Sequence, residues 1–176
     1  TLVSHTFRAN SLYDPDLTGT GHQPRGFDEA ALFYRGFLVI GSQISCTFAP
    51  VHDVANAHQQ LVYGIATVRA GQTVPPSFLD VIESGFAPVK YTDPRNGPGI
   101  VKASSRFSTK RFFNATNVKD EGTLWCSSTA DATQLGYFQP FLGCVDQATN
   151  TPECVCTVII TYIVYCGERL IGPASG

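Results

Sequence analysis

Residues 10–48 read NSLYDPDLTGTGHQPRGFDEAALFYRGFLVIGSQISCTF, a polar half followed by an apolar, alternating half. The polar half, residues 13–28, places a Pro or a Gly at five positions, which are Pro15, Gly19, Gly21, Pro24 and Gly26. Glycine adopts positive φ at little cost and proline fixes φ, so both favour turns. The pattern predicts a long, ordered loop that carries many hydrogen-bonding side chains.

The second half predicts a long strand with one buried face. Five of its apolar residues share one parity, and they are Leu38, Ile40, Ile44, Cys46 and Phe48. The polar residues Arg35, Gln43, Ser45 and Thr47 share the other. A period of two over this length is typical of a β-strand.

The rest of the chain predicts an all-β fold. Further strands are expected at residues 1–8, 61–68, 86–91, 100–107, 135–145 and 153–168. Short helical turns are expected at residues 29–33 and 109–113. A third is expected at residues 78–82, where Ser77 would be the N-cap and Gly85 would end the helix. Seven or eight strands with long loops and no internal repeat favour an eight-stranded antiparallel jelly roll, a β-sandwich with short helices in its loops, as a single domain over residues 1–176.

The last strand is expected to be covered on both faces. Residues 154–166 are apolar on both parities, and only Thr157 and Thr161 interrupt them. Such a strand at an open edge is an aggregation risk. We therefore expect it to be central in its sheet, with its second face against another subunit.

The composition favours a chain that hides surface against neighbours. Hydrophobic residues make up 43% of the 176 residues and charged residues only 15%. The net charge of −2 gives no support to nucleic-acid binding through bulk charge. No apolar run reaches the length of a membrane span, so no membrane insertion is expected. Methionine is absent, which indicates a trimmed piece of a longer product.

One motif resembles a known family. The segment holds Thr18, Gly19, Gly21, His22, Gln23, Pro24, Gly26, Phe27 and Asp28, and then Tyr34, Phe37, Val39, Gly41, Ser42 and Ile44. It is similar to the N-terminal block of capsid proteins from small circular single-stranded DNA viruses that encode a replication protein, the CRESS-DNA viruses, to which the circoviruses belong. Those capsids carry a TGxGHQPxGFD-like loop and then an aromatic step into a strand. The resemblance weakens after about Phe48.

The resemblance implies a viral coat protein and no enzyme. Such a protein has a viral jelly roll that self-assembles into an icosahedral T=1 shell of 60 copies around circular single-stranded DNA. It implies a location in the virion, with assembly in the host nucleus or cytoplasm, and a receptor or glycan on the host cell surface. It also implies a basic N-terminal arm that this chain lacks. Residues 146–152 and 92–99 are candidate outward-facing loops. No catalytic residue, metal or cofactor is expected.

Two groups of residues are candidate sites. In the loop, His22, Gln23, Pro24, Arg25 and Asp28 could form a subunit interface or contact nucleic acid, or they could satisfy each other and the loop backbone. The second group joins Lys102, Arg106, Lys110 and Arg111 to Phe107, Phe112 and Phe113. Cations neutralise phosphates and rings stack on bases, which suits single-stranded DNA. A solvated strand edge beside buried phenylalanines is the structural alternative.

Other chemistry has less support. Asp14 and Asp16 could bind a hard cation such as Ca²⁺, but an Asx-type turn is the better explanation. The four histidines are scattered, without a metal or catalytic motif. The cysteines are expected to be reduced, and the pair to test for a disulfide is Cys144 with Cys154.

Two other functions stay open on the residues alone. One is a carbohydrate-binding β-sandwich module of a secreted or surface protein, with Tyr13, Tyr34, Trp125 and Tyr137 around the sugar and with oxidised cysteines. The other is a cupin-type jelly-roll enzyme, which would need clustered histidines.

Overall fold

The computed structural model describes residues 2–19, 21–50, 60–92, 99–145 and 154–169. Over these residues the fold consists of nine strands and three short helices. In chain order the strands are β1 Leu2–Ser4, β2 Phe7–Arg8, β3 Tyr34–Pro50, β4 Leu61–Arg69, β5 Val89–Tyr91, β6 Val101–Ser108, β7 Trp125–Ser127, β8 Gly136–Cys144 and β9 Cys154–Arg169. The helices are α1 Phe27–Ala31, α2 Phe78–Glu83 and α3 Thr109–Phe113, and a 3-10 turn covers Gly122–Leu124.

The strands form two sheets. One has the order β1-β8-β4-β5, with β2 also paired to β8, and the other has the order β6-β3-β7, with β9 also paired to β3. The registers are antiparallel, as in Val3 opposite Leu142, Phe37 opposite Cys126 and Tyr63 opposite Lys90. The long strands β3, β4, β6, β8 and β9 alternate between the sheets along the chain, which is jelly-roll connectivity. The prediction of an all-β, antiparallel fold with short helices is confirmed.

The chain groups into two compact units. The first unit contains Thr1–Thr6, Ile44–Ser105 and Phe138–Ile160, and the second contains Phe7–Gln43, Arg106–Tyr137 and Thr161–Gly176. The single domain over residues 1–176 stays a prediction.

The first unit is built on aromatic packing beside small residues. The Phe48 and Tyr63 rings pack with their centroids 5.8 Å apart. Gly64 lies so close to its neighbours that a Cβ there would come within 2.4 Å of the Pro88 carbonyl and 2.5 Å of the Phe141 ring. The glycine therefore lets β4 approach the Phe141 side chain, which is itself buried.

The second unit has its own hydrophobic cluster. Its buried members are Leu12, Phe27, Phe37, Val39, Cys126 and Ala132, with Tyr162, Val164 and Cys166 of β9 packed against them. The Phe27 and Phe37 rings lie 5.0 Å apart and tilted. Phe27 begins α1 directly after Gly26, whose φ of 81° is in the left-handed region that glycine tolerates. The polar loop thus ends on a core residue.

The alternation predicted for β3 is wrong at its middle. Ile40 is exposed, and Phe37 and Val39 on the opposite parity are buried together with the predicted Leu38. Ile44, Cys46 and Phe48 are buried, as expected. Gly41 and Ser42 are buried consecutively, so the alternation shifts by one residue between them.

The central position predicted for β9 is also wrong. Among the described strands β9 is hydrogen-bonded to β3 alone, so there it is an edge strand. Its odd-numbered side chains face outward, with Val155, Ile159 and Ile163 respectively 59%, 63% and 64% exposed. The even-numbered residues other than the exposed Cys156 and Glu168 are partly buried, as Tyr162 and Val164 are in the second unit. The sequence predicted the strand but not its position at the edge of the sheet.

Smaller predictions had mixed outcomes. Helix α2 follows Ser77 and ends before Gly85, whose φ is 62°, although the Ser77 side chain makes no capping hydrogen bond. Strand β7 was not predicted, because residues 114–134 read as polar and turn-rich. Both Cys144 and Cys154 are free thiols, so the suggested disulfide between them is not formed.

The candidate outward loops fall largely outside the described residues, which omit 93–98 and 146–153. Within the described ranges, no helix has the length and apolarity that crossing a membrane requires.

Candidate functional site

The polar loop of residues 13–28 is anchored by Arg8 on β2. Its guanidinium Nη1 lies 3.0 Å from Asp14 Oδ2 and also donates to the Asp14 carbonyl. Arg8 Nε forms an ion pair with Asp131 Oδ2 at 3.2 Å, but it makes no hydrogen bond there. Ser11 Oγ donates to the other oxygen of Asp131 over 2.7 Å. The start of the loop is therefore tied to two carboxylates by one partly buried cation.

The neighbouring residue Asn10 adds a second, neutral anchor. It is fully buried, and its side-chain amide donates to the Gln134 carbonyl over 2.8 Å. Its Oδ1 accepts from the Gly136 amide, also over 2.8 Å. A buried amide side chain with both ends paired holds two segments in fixed register.

Asp16 forms the turn that the sequence predicted. Its Oδ1 accepts from the Thr18 amide over 3.0 Å and from the Thr18 hydroxyl over 2.8 Å. This is an Asx turn, and Asp14 is paired with Arg8. Within the described ranges no three His, Cys, Asp or Glu residues are grouped to hold a metal ion.

The predicted loop residues divide into two kinds, and they are His22, Gln23, Pro24, Arg25 and Asp28. Gln23 Nε2 donates to the Tyr13 carbonyl over 2.9 Å, and the Pro24 carbonyl accepts from the Phe27 amide over 3.0 Å. These two residues hold the loop itself. His22, Arg25 and Asp28 are exposed, which leaves them available to a partner.

The predicted basic residues do not fall in one compact unit. Lys102 belongs to the first unit, and Arg106, Lys110 and Arg111 belong to the second. All four are exposed. In the second unit Arg106 Nε donates to Gln43 Oε1 over 3.3 Å. Lys110 and Arg111 lie on α3, and we call them the α3 basic pair.

The phenylalanines beside this pair pack on one another. Phe112 lies 4.8 Å from Phe107 and 5.0 Å from Phe113 between ring centroids. Phe107 is buried, and a Cβ at Gly136 would lie 2.7 Å from its ring. Their packing supports the structural explanation of these rings, so the α3 basic pair offers charge more than stacking surfaces.

The second unit also contains a cleft beside the single tryptophan. It has a volume of about 520 Å³, and Trp125, Arg35, Lys119, Asp131 and Glu168 are among the residues that line it. The cleft joins exposed cations to carboxylates around one indole, a mixture that suits a polar, planar or sugar-like molecule. None of Tyr13, Tyr34 and Tyr137 lines it. The sugar site predicted for those tyrosines with Trp125 is therefore not assembled at this cleft.

Two glycines make room for the indole. A Cβ at Gly36 would lie 3.0 Å from the Trp125 ring, and a Cβ at Gly167 would lie 2.6 Å from it. The indole Nε1 donates to the Lys119 carbonyl over 3.1 Å. Lys119 Nζ lies 3.8 Å from the centroid of the Tyr165 ring, which meets Trp125 edge-on. Trp125 is thus a fixed part of the surface.

Burial perturbs two ionisable groups near these features. It raises the pKa of the Tyr162 phenol, against a smaller lowering by Arg8, and it raises the pKa of the Cys126 thiol. The Cys126 thiol donates to the Phe37 carbonyl over 3.3 Å. Both groups are therefore neutral structural donors at neutral pH.

Sequence reasoning missed the Arg8 network and the cleft. Arg8 and Asp131 are more than one hundred residues apart, and no local spacing links them. Gly167 gave a weak signal, since glycine inside a strand marks a close approach by another group.

Comparison with known proteins gives distant likenesses only. No protein-family model matches the chain, and no curated protein matches it. Among solved structures, the chain is similar to one from Desmodium yellow mottle tymovirus. The identity is 11%, the match covers 99% of this chain and 91% of that chain, and the TM-score is 0.42. It is also similar to a structure from turnip yellow mosaic virus. The identity is 14%, the match covers 100% of this chain and 99% of that chain, and the TM-score is 0.40.

A third similar structure comes from the expanded particle of a picornavirus, equine rhinitis A virus. The identity is 12%, the match covers 100% of this chain and 71% of that chain, and the TM-score is 0.44. With TM-scores below 0.5, these likenesses establish neither a family nor a function for the chain.

Proposed function

We propose that the chain is a viral coat protein that self-assembles into a closed icosahedral shell around circular single-stranded DNA. Its role is physical: strands give a rigid body, and many weak contacts between copies add up through closed symmetry. The sequence motif of residues 18–44, which resembles CRESS-DNA virus capsids, supports this assignment.

The observation that carries the proposal is the outer face of β9. No charged residue occurs between Cys154 and Gly167, and Val155, Ile159 and Ile163 are each more than half exposed. Large apolar side chains in a row on an edge strand favour association with another chain. Val155 and Ile159 belong to the first unit, and Ile163 belongs to the second.

The polar loop of residues 13–28 is proposed as a second contact between copies. The Arg8 ion pairs and the Gln23 hydrogen bond fix the loop, while His22, Arg25 and Asp28 stay exposed. A pre-ordered loop loses little conformational entropy when it binds. One cation and one carboxylate on the same loop suit contact with another copy of the same loop or its neighbour.

Binding of the genome is proposed for the basic residues. Lys102, Arg106, Lys110 and Arg111 are exposed, as phosphate contacts require. The phenylalanines beside the α3 basic pair pack on each other, so we assign this surface to phosphates and not to bases.

The test is the particle size of the purified protein, by sizing chromatography and negative-stain microscopy. We expect uniform hollow spheres roughly 20 nm across, the scale that about sixty domains of ordinary compactness enclose. Nucleic acid extracted from nuclease-treated particles should be circular and single-stranded. A monomer that forms nothing larger at high protein concentration would contradict the coat assignment.

The carbohydrate-binding alternative is not proposed, because Tyr13, Tyr34 and Tyr137, which it would place around the sugar with Trp125, do not line the cleft beside that tryptophan.

A further inference from the structure

The cleft beside Trp125 has the size of a small-molecule site, and the proposed coat function makes no use of it. Its volume of about 520 Å³ lies within the range of ligand-binding pockets. All of the residues that line it belong to the second unit. The cleft is therefore formed within one compact part of the chain.

The indole of Trp125 gives this cleft a fixed aromatic surface. The backbones of Gly36 and Gly167 come against its six-membered ring, and the Nε1 hydrogen of its other ring is donated to the Lys119 carbonyl over 3.1 Å. Trp125 is only half-buried, so part of the ring faces the cleft. A ring that is already held loses little conformational entropy when a planar group stacks on it.

The charged side chains of the cleft favour an anion that also carries hydrogen-bond donors. Arg35, Lys119 and Glu168 line the cleft and are exposed. Asp131 lines it too, but its carboxylate is already paired with the Arg8 guanidinium. The cleft thus offers two cations and one unneutralised carboxylate to a ligand.

We propose that the Trp125 cleft binds a nucleotide. The base stacks on the indole, Arg35 and Lys119 bind the phosphate, and Glu168 accepts hydrogen bonds from N–H groups of the base. Stacking on an aromatic side chain suits any base, and charge-assisted hydrogen bonds to phosphate are strong. Inorganic phosphate would leave the indole unused, and an uncharged sugar would leave the two cations unused.

The inference goes beyond the coat function and does not depend on it, because the cleft lies within one chain. Free mononucleotides and the nucleotides of a single strand share the chemistry that the cleft recognises. The cleft also supplies what the α3 basic pair lacks, since the phenylalanines beside that pair pack on one another.

The test is calorimetric titration of the full chain with deoxyguanosine 5′-monophosphate, deoxyguanosine, inorganic phosphate and methyl glucoside. We expect the monophosphate to bind one molecule per chain and to quench the fluorescence of the single tryptophan. Deoxyguanosine should bind roughly tenfold more weakly, because it lacks the phosphate. Phosphate and methyl glucoside should give no saturable binding. The proposal is wrong if the monophosphate does not bind in the millimolar range, or if phosphate or the glucoside binds as tightly as it does.

Variants assign the two parts of the ligand. Arg35→Gln and Lys119→Gln should each weaken binding of the monophosphate several-fold and leave the affinity for deoxyguanosine unchanged, since both remove only a phosphate contact. Glu168→Gln should weaken binding of deoxyguanosine as well. Lys90→Gln, exposed on β5 in the first unit, is the matched control and should bind as the wild type does. Wild-type affinity for the monophosphate in both Arg35→Gln and Lys119→Gln would place the phosphate elsewhere and overturn the proposal.

Competition separates the two sources of the nucleotide. An unstructured single-stranded oligonucleotide is added to the complex with deoxyguanosine 5′-monophosphate. Displacement of the monophosphate would identify the nucleotides of a strand as ligands of the cleft, and its retention would identify the free mononucleotide. Particle formation is measured separately on the same variants, so a failure of nucleotide binding and a failure of the coat assignment are distinguishable.

Discussion

The Tyr162 hydroxyl donates a hydrogen bond of 2.8 Å to the Arg8 carbonyl, which ties β9 to β2 within the second unit. The Arg8 side chain pairs with Asp14 and Asp131 at the same time. One residue therefore holds the last strand through its backbone and the polar loop through its guanidinium. Residues far apart in sequence meet at this point, and the order of the loop depends on it.

Tyr162→Phe should lower the free energy of unfolding by about 1 kcal/mol at pH 7, because the partly buried Arg8 carbonyl loses its donor. It should also weaken the alkaline sensitivity of the fold. Burial raises the pKa of the Tyr162 phenol in the folded state, whereas the unfolded phenol ionises near pH 10. The stabilisation from the neutral phenol is full below pH 10 and is lost as the pH rises above it.

Urea unfolding between pH 8 and pH 11, followed by circular dichroism, measures both effects. The stability of Tyr162→Phe should fall less steeply above pH 10 than that of the wild type. Tyr165→Phe is the control, because Tyr165 is exposed and the substitution keeps its ring against Trp125. Equal slopes for Tyr162→Phe and the wild type would exclude the phenol as the source of the alkaline loss.

Much of β3 was readable from the sequence, but the change in which of its residues are buried was not. Strict alternation predicted that Ile40 and Ile44 would both be buried, whereas Ile40 is exposed. Apart from Leu38, the buried residues of β3 change parity between Gly41 and Ser42. Phe37, Val39 and Gly41 share one parity, while Ser42 and Ile44 share the other. Ser42 is polar and nevertheless buried, and its Oγ donates to the Ala9 carbonyl over 2.5 Å.

The edge position of β9 and the Arg8 network could not be predicted for a different reason. Apolar residues on both parities of β9 report that both faces avoid water, but not whether a strand of the same chain or another molecule covers them. Asp14 and Asp131 become partners of Arg8 only through tertiary contacts. Local patterns predict elements, and pairing between distant elements needs the topology.

Arg8→Ala should destabilise the second unit by roughly 2 kcal/mol, because two partly buried carboxylates lose their cation. Arg8→Lys should recover only part of this loss, since an ammonium group cannot reproduce the forked contacts of the guanidinium. Arg25→Ala on the exposed tip of the loop should change stability by no more than about 0.5 kcal/mol. Urea unfolding compares the three, and equal losses for Arg8→Ala and Arg25→Ala would show that the ion pairs contribute nothing.

Gly167→Ala should displace the indole of Trp125, because the added methyl would lie 2.6 Å from its ring. Overpacking of this kind costs about 1–3 kcal/mol. Trp125 is the only tryptophan, so its fluorescence spectrum reports the displacement directly. Gly122→Ala is the matched control in the same cleft, since nothing lies within 4 Å of a Cβ there. An unchanged emission maximum in Gly167→Ala would mean that β9 shifts and the indole does not.

Replacing the α3 basic pair, Lys110→Gln with Arg111→Gln, should weaken single-stranded DNA binding without loss of assembly. Each phosphate contact removed lowers the slope of log affinity against log salt by about 0.7 for single strands. Lys90→Gln, on β5, is the control for loss of one exposed positive charge. Fluorescence anisotropy with an unstructured oligonucleotide at several salt concentrations gives the slopes. A slope equal to that of the wild type would place the phosphates elsewhere on the protein.

Ile159→Lys and Ile163→Lys should each prevent particle assembly while the subunit stays folded. Both side chains are more than 60% exposed in the isolated chain, so a lysine there adds little strain to the subunit. In an assembled shell the same ammonium would be buried in an apolar contact without a partner, which is costly. Leu79→Lys on α2 is the matched control, because Leu79 is 47% exposed and lies outside β9.

Sizing chromatography and thermal melting separate assembly from folding. We expect the two β9 variants to elute as small species with a melting temperature close to that of a dissociated wild-type subunit. Leu79→Lys should still form particles. If both β9 variants assembled normally, the exposed row on β9 would not be the contact between copies, and the coat proposal would lose the observation on which it rests.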